Sequence, residues 1–417
     1  MIRIQNIAKT GLIGPMGHMG PMRLMGLIGF IGLIGLLGCS SDDYEEAQAP
    51  VTESGVPVTL TSYVSAYTDF KAKEANRAGD YMTRSWTPPT GYHTPSTDEI
   101  KSIGVFFTSD AGGGKCDLHR FWYGTDNKWR VEGDEIDEGT FNMYGYLPYT
   151  AGTASLSLNA APNNTYAKGA VMTLSGLSGV MSKDLCVLVG AKEGTNADTP
   201  SDPGLKTGKF SCQLKKGGEG FENYIFLLFD HLYAAINFNF TINATYYGLR
   251  TIKLKRLELI AYTDHSFTTK MKKEQSTTVT LLATDDETSP IVSVSDLTPN
   301  NSSGDMEPVI LFNDEDHPLE LSAKTAQTLT AYVPEVASFY ILKSVYDVYD
   351  KNPTDEHPEG NLIRKNCEAE NKLNPRNMFN QPKLERGKMY NINLMVNPTY
   401  LYVLSEPDLN NPTVEVE

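Results

Sequence analysis

Ile236-Asn237-Phe238-Asn239-Phe240-Thr241-Ile242-Asn243 alternates apolar and polar side chains without a break. A period of two belongs to a β-strand with one face on a core, whereas a helix would scatter these apolar residues around its axis. The same alternation recurs on either side. Val56, Val58, Leu60 and Val64 alternate with Thr59, Thr61, Tyr63 and Ser65, and Tyr390, Ile392, Leu394 and Val396 with asparagines and Met395. Further strands are expected at Ile103–Phe107, Phe141–Tyr146, Ile252–Leu259, Val279–Leu282, Val309–Phe312, Leu329–Val333 and Phe339–Tyr349. Tyr, Thr, Val and Ile dominate them, and clusters of Gly, Asn, Asp and Pro separate them. Long helical periodicity is absent, and Phe70–Arg77 reads as a turn in a linker. The fold class is therefore all-β, built as sandwiches with polar outer faces.

The N-terminal stretch follows other rules. Arg3, Lys9 and Arg23 precede an uncharged run, Leu24–Leu37, which ends in Gly38-Cys39. A basic region, a short apolar core and a small-residue cleavage point form an export signal. At about 14 residues the core is short of the ~20 a spanning helix needs. Met19 and Met22 are alternative starts for translation. Leu36-Leu37-Gly38-Cys39 resembles the lipobox of bacterial lipoproteins, which implies cleavage before Cys39 and lipid on its sulfur and amine. Asp42, Asp43, Glu45 and Glu46 follow. They resemble the acidic signal that sends lipoproteins to the outer face of the outer membrane, on a flexible tether whose composition disfavours folding.

The chain of 417 residues carries a net charge of −15, and loss of residues 1–38 would remove three basic groups and no acidic ones. That balance excludes nucleic acid as a partner, since phosphate binding needs clustered Lys and Arg. No second apolar run approaches a membrane span, so the rest of the chain reads as soluble. Cys116, Cys186, Cys212 and Cys367 are too widely spaced for a CxxC or Cys/His metal pattern; one or two disulfides and buried free thiols are equally compatible with them.

Catalytic signatures are missing. Ala111-Gly112-Gly113-Gly114-Lys115-Cys116 lacks the spacing and the hydroxyl of a phosphate loop and reads as a glycine-rich hairpin tip. Gly176-Leu177-Ser178-Gly179 misses the nucleophile-elbow spacing by one residue. Asp314-Glu315-Asp316-His317 lacks the alternation and glycine of a calcium loop and reads as a solvated turn. His231, beside an apolar strand, reads as a hydrogen-bonded structural histidine. No catalytic, cofactor-binding or metal-binding residue is expected, and no cofactor.

Several segments together resemble the fimbrillin family of Bacteroidales, the lipoprotein subunits of type V pili. Thr83-Arg84-Ser85-Trp86 and then Ile103-Gly104-Val105-Phe106 are similar to the family's opening. Phe141-Asn142-Met143-Tyr144-Gly145-Tyr146-Leu147-Pro148-Tyr149 is similar to its tyrosine-proline strand, and Phe229-Asp230-His231 to its mid-chain segment. Val345-Tyr346-Asp347-Val348-Tyr349-Asp350, Arg386-Gly387-Lys388-Met389-Tyr390 and Pro398-Thr399-Tyr400-Leu401-Tyr402-Val403 complete the order. The resemblance implies two tandem transthyretin-like β-sandwich domains, no catalysis, and other fimbrial subunits as partners. It also implies maturation by an arginine-specific protease, at Arg84–Ser85 or alternatively Arg77–Ala78. The cut would remove the strand carrying Val56, Val58, Leu60 and Val64, leaving a groove for a strand of another subunit. Stalk, tip and anchor roles are all compatible with the sequence.

The expected division is a signal over 1–38, a tether over 39–55, one sandwich over 56–222 and a second over 223–417, with Lys215–Gly220 as the linker between them. The protein would lie at the outer membrane through the lipid on Cys39, and in a fimbrium after processing. A different reading is a monomeric glycan-binding surface lipoprotein, with Trp122, Tyr123 and Trp129 stacking on sugar rings.

Overall fold

A computed structural model describes residues 57–404 apart from 71–91, 94–101, 111–114, 124–128, 133–134, 159–164, 197–198, 201–204, 219, 285–290, 352–353, 355–359 and 398–399. Cys39, the acidic tether, Val56, Arg77, Ala78, Arg84 and Ser85 lie outside the described residues. The protein is all-β, as the alternation requires, and the strands among the described residues form four sheets.

The first sheet runs in the order Tyr92–His93, Val58–Ser65, Asn223–His231, Cys186–Asn196, Gly139–Leu147, Ser102–Ser109, Lys115–Tyr123, Trp129–Glu132, with Thr199–Pro200 and Ser211–Leu214 attached to it. The second runs Val292–Val294, Gln275–Leu282, Gly169–Leu177, Thr153–Leu158, and Thr298–Pro299 joins Gln275–Leu282. In the third, Thr68–Asp69, Lys388–Asn397, Tyr233–Ile242 and Gln327–Pro334 follow one another, and Tyr400–Leu404 also pairs with Lys388–Asn397. The fourth contains Val309–Asn313, Arg250–Tyr262, Phe339–Asp350 and Leu362–Leu373, with Leu319–Glu320 beside Arg250–Tyr262.

Three cores hold these sheets. Phe238, Phe240, Ile392 and Leu394 of the third sheet meet Leu257, Leu259, Tyr340 and Leu342 of the fourth. Tyr144, Tyr146, Phe226 and Leu228 of the first sheet meet Met172, Leu174, Val279 and Leu281 of the second. The third core, with Leu60, Val105, Phe121, Met143, Leu188 and Leu227, draws on the first sheet and its loops alone, from Val58 at one side to Val131 at the other. The first sheet therefore curls around a core of its own and buries both faces. That departs from the polar outer face expected of a sandwich. Asn223–His231 shows why: Ile225, Leu227 and Phe229 fill the inner core while Phe226 and Leu228 fill the outer one. A strand buried on both sides reads as a continuous apolar run rather than an alternation.

The stretch 215–222 joins Ser211–Leu214 to Asn223–His231, both in the first sheet. The chain crosses to the third sheet at Leu232, between Asn223–His231 and Tyr233–Ile242. It comes back later, because Gln275–Leu282 pairs antiparallel with Gly169–Leu177 in the second sheet. The two short α-helices among the described residues, Ala244–Tyr247 and Pro375–Phe379, are capped by asparagines. The Asn243 side chain accepts from the amides of Thr245 and Tyr246, and the Asn374 side chain accepts from Arg376 ahead of Pro375.

The glycines of the two opening motifs have a packing reason. Ser102–Ser109 and Gly139–Leu147 pair so closely that a Cβ on Gly145 would stand 2.4 Å from the Gly104 carbonyl oxygen. A Cβ on Gly104 would stand 2.8 Å from the ring of Tyr146. Only glycine leaves room there for the buried tyrosines that cover the outer core.

Candidate functional site

The strand Val58–Ser65 sits in an unusual place. It pairs in parallel with Asn223–His231, from Val58 opposite Asn223 to Val64 opposite Phe229. On its other side, among the described residues, only Tyr92 and His93 pair with it, at Ser65 and Val64. Among the described residues it thus lies one strand in from the end of the sheet. Its side chains are nevertheless deeply placed. Leu60 and Val64 are buried in the inner core with Val58 packed partly against it, and Tyr63 points into the outer core. Burying Leu60 and Val64 alone contributes roughly 3–6 kcal/mol, an upper estimate because unfolded chains bury some surface already.

The fit has a defect on each face. The hydroxyls of Ser62 and Ser65 are buried and have no hydrogen-bond partner among the described residues. A buried polar group left unpaired costs about 1–3 kcal/mol.

Beyond Ser65 the chain crosses to the other pair of sheets. Thr68–Asp69 pairs in parallel with Lys388–Met389, and the amide of Thr68 donates to the Gly387 carbonyl at 3.1 Å. The ring of Phe70 stacks on that of Tyr390 with centroids 4.8 Å apart. One short segment is thus tied to both sheet pairs.

At the crossing lies a cluster of Asp184, Cys186, His231 and Tyr67. Cys186 and His231 face each other across the antiparallel pair of Cys186–Asn196 and Asn223–His231. The loop before Cys186 brings in Asp184, and that loop is held in turn by a two-way backbone bridge between Met181 and Tyr332. Asp184 Oδ2 lies 2.6 Å from His231 Nδ1, and Cys186 Sγ lies 3.5 Å from Nδ1 and 3.3 Å from Oδ2. His231 Nε2 donates at 2.5 Å to the carbonyl of Ser65, which can only accept. The Tyr67 hydroxyl donates to Asp184 Oδ1 at 2.7 Å, and its ring stacks on His231 at 3.6 Å between centroids. Burial first, and then the Asp184 carboxylate, push the Tyr67 phenol well above its ordinary range, so it keeps its proton and donates.

This arrangement does not suit nucleophilic catalysis. A base that activates a thiol divides its nitrogens between nucleophile and orienting acid. Here Nδ1 meets both Cys186 and Asp184 while Nε2 is committed to Ser65, and Cys186 is 0% exposed.

The other candidates have plainer places. Cys116, Cys186, Cys212 and Cys367 are all free thiols. The strands on either side of the glycine-rich stretch pair as an antiparallel hairpin. The Asp314 side chain accepts from the amides of Asp316 and His317, closing its own exposed turn. Trp122 is covered by Arg130, and Tyr123 meets the Trp129 ring edge-on, leaving these aromatics half-buried against their own hairpin. Sequence reading missed Asp184, Cys186 and Tyr67, which are far from His231 along the chain and carry no spacing signal.

No family model matches the chain, and no curated protein does. Solved structures with some likeness include a candidate cell adhesion protein of Bacteroides fragilis, at TM-score 0.36 and 11% identity over 85% of this chain and 99% of that one. A fimbrial protein of Bacteroides ovatus gives TM-score 0.28 and 10% identity over 82% of this chain and 49% of that one. The C-terminally truncated tip fimbrial protein Mfa3 of Porphyromonas gingivalis gives TM-score 0.26 and 11% identity over 83% of this chain and 97% of that one.

Proposed function

We propose that this chain is a structural and adhesive subunit of a cell-surface fimbria, without catalysis, exported as a lipoprotein on Cys39. Assembly follows a cut at Arg84–Ser85, or at Arg77–Ala78, which releases Cys39 together with the strand Val58–Ser65. The partners are other fimbrial subunits, the same chain or related ones, and before the cut the outer membrane.

The seat of Val58–Ser65 supports this reading most. A strand near the sheet edge, buried on both faces yet carrying two hydroxyls without a partner among the described residues, is a serviceable but imperfect occupant. Its loss would open an apolar groove and the unpaired backbone of Asn223–His231, a template for β-strand addition. A strand from another subunit would restore both the ladder and the burial, and repetition would give a polymer. The lipid would leave with the removed segment, freeing the subunit from the membrane.

The test compares two chains. A chain beginning at Ser85 should form ordered oligomers that survive SDS, visible as a ladder on gels, while one beginning at Ser40 should stay monomeric. A chain from Ser85 that folds as a stable, non-associating monomer would remove the mechanism.

A further inference from the structure

We infer that Asp184, Cys186 and His231 form a zinc site that fastens the crossing segment to the first sheet. The donor set is the first reason. A thiolate, an imidazole and a carboxylate are the ligands zinc takes in proteins, whereas calcium and magnesium call for oxygen alone. The three donor atoms all lie within 4.8 Å of one another.

Geometry is the second reason. Zinc binds sulfur at about 2.3 Å and nitrogen or oxygen at about 2.0–2.2 Å, so neighbouring donors in a tetrahedral centre stand roughly 3.3–3.6 Å apart. The Sγ–Nδ1 and Sγ–Oδ2 distances are 3.5 and 3.3 Å. Only Nδ1–Oδ2, at 2.6 Å, is shorter, because a proton bridges that pair. Opening it by roughly 0.7 Å would complete one face of the tetrahedron.

The third reason is the surroundings. A metal-binding histidine typically donates its other ring N–H to a carbonyl or carboxylate, which fixes the tautomer and aims the ring. His231 Nε2 already donates to the Ser65 carbonyl, and Tyr67 both stacks on the ring and holds the second oxygen of Asp184. His231 and Asp184 are thus oriented by a second layer of contacts, and Cys186 is placed by its register opposite His231. Asp184, with its side chain 19% exposed, is the member nearest solvent and leaves the fourth position to water.

As the ion enters, the thiol proton and the proton between Nδ1 and Oδ2 pass to solvent. A thiolate, a carboxylate and a neutral imidazole around a divalent ion make a centre with no net charge, which suits a buried position. Zinc would then link Asp184 and Cys186 to His231, and through His231 to the backbone of Ser65. The site does not depend on the fimbrial reading.

The full chain, expressed with zinc and dialysed against a weak chelator, should retain a single zinc ion by elemental analysis. Refolded with cobalt(II), it should show the thiolate-to-cobalt absorption of a tetrahedral centre. Cys186→Ala and His231→Gln should lose the ion and the band. Cys212→Ala, which removes a buried thiol outside the cluster, should keep both. Zinc, and not magnesium or calcium, should raise the thermal midpoint of the wild-type chain. A wild-type chain that is folded by circular dichroism yet binds neither ion would overturn the proposal, and so would a cobalt band persisting in Cys186→Ala. Cys186→Ser, closer in shape, must also lose the band, which guards against a variant that merely fails to fold.

Discussion

Ser62 shows how a single residue can set the balance of an element. It lies among Leu60 and Val64 on the inner face of its strand, where its hydroxyl has no partner among the described residues. Ser62→Ala should therefore stabilise the full chain by about 1–2 kcal/mol, seen as a higher urea midpoint with an unchanged slope. A lower midpoint would mean that the hydroxyl is hydrogen-bonded after all. On the fimbrial reading, the same change makes the resident strand harder to displace. At this scale the sequence was only partly legible. Leu60 and Val64 could be read as buried from their alternation with polar neighbours. The cluster at the crossing could not, because Asp184, Cys186 and His231 meet only through the antiparallel register of two strands. A register is a long-range choice, and no local spacing encodes it.

Among the elements, the strands of the fourth sheet show what alternation conceals. Arg250–Tyr262 and Phe339–Asp350 slip register between Leu254 and Arg256, and Phe339–Asp350 slips again against Leu362–Leu373 between Tyr346 and Val348. Lys255 and Asp347 are the residues at these bulges, and Asn366 beside them takes a left-handed φ of 53°. Bulges re-aim side chains. Here they bring the buried Lys255 ammonium to 2.8 Å from Asn366 Oδ1 and 3.8 Å from Asp347 Oδ2. The exposed Glu315 carboxylate also lies 3.3 Å from this ammonium, so removing Lys255 frees Glu315 to water but leaves the buried Asp347 without its cation. Lys255→Ala should cost about 3–5 kcal/mol in a denaturant titration. Lys255→Met with Asp347→Leu, which removes both charges, should recover most of that loss. Alternation marked strands with one dry and one wet face, such as Tyr233–Ile242, and Tyr, Phe, Val and Ile content marked Ser102–Ser109 and Gly139–Leu147 although both are buried almost throughout. Cys186–Asn196 and Asn223–His231 were missed because each puts side chains into cores on both faces and so shows no alternation.

Across the whole molecule, buried phenols tie stability to alkaline pH. Burial above all pushes Tyr166 and Tyr390 up to about 12, and Tyr144, Tyr146, Tyr233 and Tyr340 further in the same direction. Unfolded phenols release their protons near 10.0. Above that pH the folded chain holds more protons than the unfolded one, so stability is whole below about pH 10 and falls as pH rises toward 12. The thermal midpoint should drop across that window, and tyrosinate absorbance from these groups should appear together with unfolding. Their titration near 10 in a chain that is still folded would contradict the burial. The path of the chain has a further consequence. Since Gln275–Leu282 leaves the later sheets to lie against Gly169–Leu177, the second sheet is built from segments on both sides of Leu232. A recombination event that swapped the sequence at that crossing would split the second sheet, with Thr153–Leu158 and Gly169–Leu177 from one parent and Gln275–Leu282 and Val292–Val294 from the other. Hybrids crossed at Leu232 would therefore have to repack the seam between Gly169–Leu177 and Gln275–Leu282, and surface loops are the places where exchange leaves that seam intact.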